Sequence, residues 1–200
     1  MQIHFECPPL SGEEKRIIVI MSKKENQKSN VVIYTIGHST REIDEFVELL
    51  KLNKIEALID VRKLPGSKKY PHFNQEELSI SLGSAGILYI YLKELGGRRK
   101  ANKDSINTIW KNKSFQAYAD YMGTAEFLKG IDILLGHANK KRVAIMCAEA
   151  LWWRCHRALI ADYLKSIGVD VYHIMSATSN KQHPFTSAAR IRDGQLFYYE

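Results

Sequence analysis

The sequence lacks any apolar run long enough to cross a bilayer, and it contains only three cysteines. A membrane-spanning helix needs about 20 apolar residues in a row, so no membrane anchor is predicted. Residues 16–21, RIIVIM, are too few for a signal peptide, and no small-residue cleavage site follows them. An odd number of cysteines in a chain of 200 residues argues against a disulfide framework and predicts reduced thiols in the cytoplasm.

The sequence also has no internal repeat and no low-complexity tract outside residues 21–30, MSKKENQKSN. This polar, lysine-rich segment has no packing residues, which predicts a flexible linker. Met21 is a candidate start of translation, so residues 1–20 are predicted to be an upstream extension with an exposed, non-catalytic Cys7. The hydrophobic content of 45% suffices for one sizeable core, so residues 31–200 are predicted to form a single α/β domain.

Acidic residues are outnumbered, which leaves a net charge of +7 and a pI of about 9.2. A basic protein favours anionic partners, either a small molecule or nucleic acid. A solvated basic face is commoner than a dedicated nucleic-acid surface, so charge alone does not decide between them. Nothing in the composition predicts an oligomeric state.

Strand and helix patterns alternate along the chain from residue 31 onward. Residues 31–37, VVIYTIG, form a short apolar run ended by glycine, which is typical of a strand buried on both faces. Four later runs, EALIDVR, ILYIYL, VAIMC and VDVYHIM, share this character. Between them lie helical patterns, one of them interrupted near Gly123.

This alternation predicts an α/β fold with an open, mostly parallel five-stranded sheet and helices on both faces, in three layers. Residues 152–168, WWRCHRALIADYLKSIG, are predicted to be the helix after the fourth strand. The Asp193–Gly194 pair between ARI and QLFYY predicts a small C-terminal hairpin. We expect this tail to fold back as a lid, with His183 and Arg190 available to a ligand.

Reactive side chains follow the strands, at the edge where open parallel sheets bind ligands. They are densest in residues 147–157, which hold thiol, carboxylate, imidazole and guanidinium groups. The predicted catalytic residues are His38, Asp60, Cys147 and Glu149. The predicted ligand-binding residues are Ser39, Arg62, Tyr91, Arg98, Arg154, His156, Arg157 and His183.

Three of the predicted catalytic residues favour acid–base chemistry, although each also has a structural interpretation. His38 follows a glycine at a strand end, where an imidazole can reach solvent, but it can equally be a hydrogen-bonded structural histidine. Asp60 and Arg62 point to the same side of a strand, and an ion pair is the commoner outcome for that spacing. Glu149 can act as a base, hold Arg157 or cap the following helix. Because these side chains come from different strands onto one edge of the sheet, as catalytic sites require, the functional interpretation is strengthened.

Cys147 lies at a strand end ahead of an arginine and a helix, as in rhodanese-like and cysteine phosphatase folds. Six residues separate Cys147 from Arg154, whereas cysteine phosphatases use five in a small, glycine-rich loop. The intervening AEALWW has no glycine and two bulky rings. We therefore rank phosphoryl or sulfur transfer at Cys147 below a buried, unreactive cysteine.

Cysteine and histidine together suit zinc, and Cys147, Cys155, His156, His38 and His173 are the available ligands. Cys155 and His156 are adjacent in the predicted helix, where neighbouring side chains diverge by about 100°. We therefore predict no metal site, and no cofactor.

Basic and aromatic residues occur together in two loops and in the Trp152–Trp153 pair. Such a surface holds phosphates and stacks on bases, which suits single strands or flipped bases. Adjacent helical residues cannot both face one ligand, so one tryptophan is expected in the core. The loop residues concerned are Lys63, Lys68, Lys69, Tyr70, His72 and Phe73 in one loop, and Arg98, Arg99, Lys100 and Lys103 in the other.

Five separated motifs, YTIGHS, DVRKLPGSKKYPHFN, YLKELGG, IMCAE followed by CHR, and HPFT, resemble those of the family called domain of unknown function 488. The resemblance runs from about residue 31 to the C-terminus and implies a compact α/β domain, but no activity. We therefore expect a protein that binds a phosphate-bearing ligand, nucleotide or nucleic acid, at the strand ends. An enzyme and a non-catalytic nucleic-acid-binding module remain alternatives.

Overall fold

The computed structural model describes residues 31–200 of the protein. The predicted extension and linker, the candidate start at Met21 and the predicted exposure of Cys7 concern residues outside this range. Within residues 31–200, no helix is both long and apolar enough to cross a membrane.

One six-stranded sheet forms the centre of the fold, in the order β3-β2-β4-β1-β5-β6. Its five parallel strands confirm the predicted runs, and β6 is antiparallel to β5. The sixth strand was not predicted, because SNKQ is polar and largely exposed and so carries no apolar signal. The strands are β1 Val32–Gly37, β2 Ala57–Asp60, β3 Leu88–Tyr91, β4 Val143–Cys147, β5 Asp170–Ser176 and β6 Ser179–Gln182.

Five α-helices connect or follow the strands in the described part of the chain. The helical pattern breaks near Gly123 as predicted, because Thr124 caps a new helix by accepting a hydrogen bond from the N–H of Phe127 at 3.3 Å. The helices are α1 Ile43–Leu52, α2 Gln75–Ser84, α3 Lys113–Met122, α4 Ala125–Ala138 and α5 Arg157–Ser166. Short 3₁₀ turns occur at Pro71–Phe73, Lys93–Leu95 and Trp152–Arg154.

Two hydrophobic cores on opposite faces of the sheet make the three predicted layers. Alternate strand residues face each way: Ile33 and Ile145 pack toward α3, α4 and α5, whereas Ile36 and Met146 pack toward α1 and α2. Each inner strand therefore buries both faces, which explains its unbroken apolar sequence.

The predicted small C-terminal hairpin is confirmed. Strands β7 Arg190–Arg192 and β8 Gln195–Phe197 pair antiparallel in a separate two-stranded sheet. Asp193 and Gly194 both have positive φ, 49° and 75°, as a tight hairpin turn requires.

Helix α5 begins later than the sequence predicted, at Arg157 rather than at Trp152. Cys155 is extended, with φ −132° and ψ 149°, so the prediction that Cys155 and His156 share a helix is wrong. A 3₁₀ turn at Trp152–Arg154, with the N–H of Cys155 donating to the carbonyl of Trp152 at 3.1 Å, takes the place of the predicted first turn, and the extended Cys155 separates it from α5. Three successive carbonyls of the loop before this turn are held against other elements. The carbonyl of Cys147 accepts from His38 N–H, that of Ala148 from Ser39 N–H, and that of Glu149 from Arg157.

The order of strands places a topological switch between β1 and β4. From β1 the chain passes through α1 to β2, whereas from β4 it passes through α5 to β5 on the other side of β1. Helices α1 and α5 belong to different layers. A crevice is expected outside the carboxyl ends of such a strand pair, and this crevice is where ligands of open α/β sheets bind.

Candidate functional site

The loops after β1 and β4 are in direct contact at the switch. Gly37 permits this contact, because a Cβ atom there would lie 2.7 Å from the carbonyl carbon of Glu149 and 2.9 Å from the Cα of Ala150. His38 N–H and Ser39 N–H then donate to the carbonyls of Cys147 and Ala148 at 3.0 and 2.9 Å. The two loops therefore form one continuous wall.

Asp60 and Arg62 form a buried ion pair behind this wall. Asp60 is fully buried, and its carboxylate accepts from Nε and Nη2 of Arg62 and from the hydroxyl of Tyr89 at 2.7 Å. Burial, together with the Asp60 charge, raises the pKa of Tyr89, so its phenol remains a donor. Asp60 thus orients the Arg62 guanidinium and has little capacity left for a substrate.

His38 lies against Arg62 as a neutral imidazole. Its Nδ1 contacts the carbonyl of Ser39 at 3.0 Å, and because a carbonyl only accepts, Nδ1 carries the proton. Nε2 is then the acceptor that faces Nη1 of Arg62 at 3.5 Å. Burial and the Arg62 charge lower the pKa of His38 to about 4. The ring stacks on Phe73 at 4.2 Å.

A cleft of about 550 Å³ opens in front of these residues. This volume is within the range of small-ligand sites. Four cationic side chains line the cleft, with Glu149 as the one carboxylate among the lining residues. The cations are Arg62, Lys69, Arg98 and Arg154. The site is therefore electropositive, and three of its cations, Lys69, Arg98 and Arg154, are exposed.

Two thiols and an imidazole meet below the wall. Nδ1 of His156 lies 4.0 Å from Sγ of Cys147 and 3.6 Å from Sγ of Cys155. Hydrogen bonding with Cys155 and burial raise the pKa of Cys147. Burial raises the pKa of Cys155, but a hydrogen bond with Cys147 and the nearby charges of His156 and Arg157 have the larger effect. The pKa of Cys155 therefore lies well below its ordinary value. Cys155, rather than Cys147, is the easier thiol to ionise.

Arg157 is buried and holds the loop after β4 in place through hydrogen bonds. It is 1% exposed, and its guanidinium donates to the carbonyl of Glu149, to Sγ of Cys155 at 3.4 Å and to Oγ1 of Thr35 at 3.3 Å. These three contacts direct Arg157 to the interior rather than into the cleft.

A buried hydrogen-bonded chain continues from Thr35 to the C-terminal tail. Thr35 Oγ1 meets Nδ1 of His173 at 2.7 Å, and Nε2 of His173 meets Nδ1 of His183 at 2.9 Å. Nε2 of His183 reaches Asp162 at 2.9 Å. Burial, with the nearby charges of His183 and Arg157, lowers the pKa of His173 to about 2. Both ring nitrogens of His183 are occupied by protein groups.

Trp152 and Trp153 have different environments. Trp152 stacks on the ring of His173 at 4.3 Å and packs against the core, whereas 47% of Trp153 is exposed. One tryptophan thus packs against the core, although it is only partly buried, and the other is exposed.

The structure brings together only some of the predicted site residues. His38, Ser39, Arg62, Arg98, Glu149 and Arg154 line the cleft. Asp60, Cys147, His156 and Arg157 lie beneath or behind its wall. Tyr91 donates to the carbonyl of Lys63, and His183 is buried beside α5. Tyr89 was missed as the partner of Asp60, since an aromatic residue in an apolar strand gives no separate signal.

The motifs, the three-layer fold and the strand-end cleft can be compared with known proteins. The family model described as "Domain of unknown function DUF488" matches residues 42–164, which is more than half of the chain. The chain belongs to the DUF488 family. The DUF488 match covers α1 through most of α5 and with them the cleft-lining loops after β2 and β4. No curated protein and no solved structure matches the chain.

The buried histidines of this DUF488 protein predict loss of stability in acid. His38 and His173 have folded pKa values near 4 and 2, below the ordinary value of 6.5. Below pH 6.5 the unfolded chain therefore binds more protons than the folded chain, and stability falls as pH falls. We expect the free energy of unfolding to drop by about 1.4 kcal/mol per pH unit for each histidine.

Urea unfolding at a series of pH values from 7.5 down to about 4 measures this slope. His38→Asn should make the slope shallower. His137→Asn, at the C-terminal end of α4 and half-buried, is the matched control and should leave the slope as in the wild type. A free energy of unfolding that is constant or rises over this interval would show that the two imidazoles are protonated in the folded protein.

Proposed function

We propose that the protein binds a phosphate-bearing ligand, a nucleotide or single-stranded nucleic acid, in the cleft at the carboxyl ends of β1, β2 and β4. The observation that carries this proposal is the presence of Arg62, Lys69, Arg98 and Arg154 around one cleft with a single carboxylate. Guanidinium groups bind phosphate oxygens through paired, charge-assisted hydrogen bonds.

Arg62 is the anchor of the proposed site. Asp60 engages Nε and Nη2, whereas Nη1 makes only the long 3.5 Å contact with His38. Nη1 therefore has donor capacity directed toward the cleft. A buried, pre-oriented guanidinium loses little side-chain entropy on binding, which favours affinity.

The surroundings of the cleft support a nucleotide or nucleic-acid ligand over inorganic phosphate. Tyr70 lines the cleft beside Lys69, and exposed Trp153 precedes Arg154. Aromatic rings next to cations can stack on bases while the cations hold the backbone. If the protein only binds its ligand, these residues catalyse no reaction. The protein is then a non-catalytic, nucleic-acid-associated binding module in the cytoplasm.

In the enzymatic form of the proposal, His38 is the general base. It is neutral, and its Nε2 lone pair beside Arg62 can accept a proton from a nucleophile. Its pKa of about 4 makes it a weaker base than a free imidazole, so a bound anion that offsets the Arg62 charge would strengthen it. Asp60 is a positioning residue that acts through Arg62. Glu149, exposed in the cleft wall, is the second titratable group at the site.

Phosphoryl or sulfur transfer at Cys147 is the less favoured candidate. Cys155 and burial raise the pKa of Cys147, which reduces the thiolate that a nucleophile requires. The Cys147 thiol also lies behind the contact between Gly37 and Glu149. Ala148 and Glu149 line the cleft, whereas Cys147 does not.

Fluorescence anisotropy with labelled ADP and with a short labelled oligothymidylate tests the binding proposal. Arg154→Gln should weaken binding of the preferred probe about tenfold, equivalent to about 1.4 kcal/mol. It should also reduce the slope of log affinity against log salt by about one. The relative affinities of the two probes distinguish a nucleotide site from a nucleic-acid site.

Arg192→Gln is the matched control, because it removes the same charge from the exposed hairpin strand β7. It should leave the affinity within about twofold of wild type, a change of roughly 0.4 kcal/mol. Absence of binding to both probes, or an equal loss in Arg192→Gln and Arg154→Gln, would contradict a phosphate site in the cleft.

A further inference from the structure

We propose that Cys147, Cys155 and His156 bind a zinc ion. The sequence predicted no metal there because it placed Cys155 and His156 in one helix, but both precede α5. Their ligand atoms and Sγ of Cys147 all lie within 4.8 Å of one another. This zinc site is independent of the proposed phosphate-binding function, and none of its three ligands lines the cleft.

The distances match the edges of a tetrahedral zinc site. Zinc–sulfur bonds of about 2.3 Å and zinc–nitrogen bonds of about 2.0 Å, at tetrahedral angles, separate sulfur from nitrogen by about 3.5 Å. The observed separations from Nδ1 of His156 are 3.6 Å to Cys155 and 4.0 Å to Cys147. Since all three ligand atoms lie within 4.8 Å of one another, small side-chain shifts bring them around one ion.

The imidazole of His156 is fixed in the tautomer that a metal requires. Its Nε2 contacts the carbonyl of Val61 at 3.1 Å, and the carbonyl can only accept, so Nε2 carries the proton. The lone pair is then on Nδ1, the atom nearest to both thiols. A backbone carbonyl on the second nitrogen is a common outer partner of metal-binding histidines.

Packing holds the same ring in place. Gly97 lies so close that a Cβ atom there would be 2.8 Å from Nδ1 and 3.2 Å from Cε1 and Cγ. The ring of Tyr118 lies at a centroid distance of 5.0 Å from that of His156. His156 is thus oriented before any metal binds, which reduces the entropy lost on coordination.

Both sulfurs have N–H donors that stabilise their thiolate forms. Nε of Arg157 donates to Sγ of Cys155 at 3.4 Å, and the backbone N–H of Glu149 hydrogen-bonds to the sulfur of Cys147. When Zn²⁺ binds, the thiol protons are released to solvent and the sulfurs coordinate as thiolates. The Arg157 charge offsets part of the negative charge that two thiolates bring.

Three protein ligands leave one tetrahedral position for water or another ligand. Among residues 31–200, no fourth cysteine, histidine or carboxylate joins the cluster. Zinc sites with three protein ligands and an open position are typical of catalytic rather than structural zinc. The proposed coordination is therefore three protein ligands and one water molecule.

The test measures zinc in the full-length reduced protein after dialysis with Zn²⁺ and then against a metal-free buffer. We expect about one zinc per chain, and cobalt(II) in its place should give thiolate charge-transfer and tetrahedral d–d absorption. Cys155→Ser and His156→Gln should each lower zinc affinity at least tenfold. Circular dichroism confirms that each variant is folded.

His137→Gln is the matched control, because it removes one imidazole from the C-terminal end of α4, outside the cluster. It should retain zinc with the affinity of wild type. The proposal is overturned if folded wild type retains no zinc, or if His137→Gln loses it as completely as His156→Gln. A Cys147–Cys155 disulfide in a protein that binds no zinc when reduced would identify a redox pair instead. If the zinc-free protein still binds labelled ADP or oligothymidylate in the anisotropy assay, the zinc proposal fails but the proposed phosphate-binding function stands.

Discussion

Gly37→Ala should destabilise the protein by about 3 kcal/mol or more, because the added methyl group would overlap backbone atoms. The new Cβ would meet the carbonyl group of Glu149 and lie 2.9 Å from the Cα of Ala150. Neither neighbour can rotate away as a flexible side chain would. The loop after β4 must therefore move away from β1, which breaks the hydrogen bonds from His38 and Ser39.

Urea unfolding measures this loss, and probe binding in any folded fraction measures the damage to the cleft. Gly136→Ala is the matched control, since a Cβ atom in this position of α4 would meet nothing within 4 Å. It should stabilise the helix by about 0.5–1 kcal/mol. Wild-type stability and binding in Gly37→Ala would mean that the two loops are not in contact.

Asp162→Asn should also have a large effect, of about 3 kcal/mol, because it breaks a fully buried polar cluster. The Asp162 carboxylate accepts from His183, from the N–H and hydroxyl of Thr186, and from the Tyr198 hydroxyl at 3.0 Å. An asparagine replaces one acceptor by a donor, which then faces other donors. Hydrogen exchange in β7 and β8 should become faster, because Thr186 and Tyr198 flank this hairpin.

Asp132→Asn, on the exposed side of α4, is the control for the loss of charge and should change stability by less than about 0.5 kcal/mol. Urea unfolding compares the two variants directly. Equal stabilities would indicate that the carboxylate of Asp162 is not the anchor of the tail.

The sequence predicted the parallel strands and the layers because burial on both faces leaves an unbroken apolar run, such as VAIMC in β4. The polar β6 gave no such signal. Its position depends on pairing with β5, which is a tertiary contact.

His38, Arg62 and Glu149, which the strand-end rule assigns to one edge of the sheet, line one cleft. The rule did not predict that Arg157 and His183 turn into the interior. Their direction depends on where α5 begins and on the burial of Asp162 within ALIADYL, and neither can be derived from periodicity. The same late start of α5 brings Cys155 and His156 to one point.

The buried chain of hydrogen bonds joins a cationic and an anionic side chain. It runs from Arg157 through Thr35, His173 and His183 to Asp162. Arg157, at one end of the chain, also holds the carbonyl of Glu149. The segment from His183 to Tyr198 consequently helps to support a cleft whose lining residues all lie at or before Arg154.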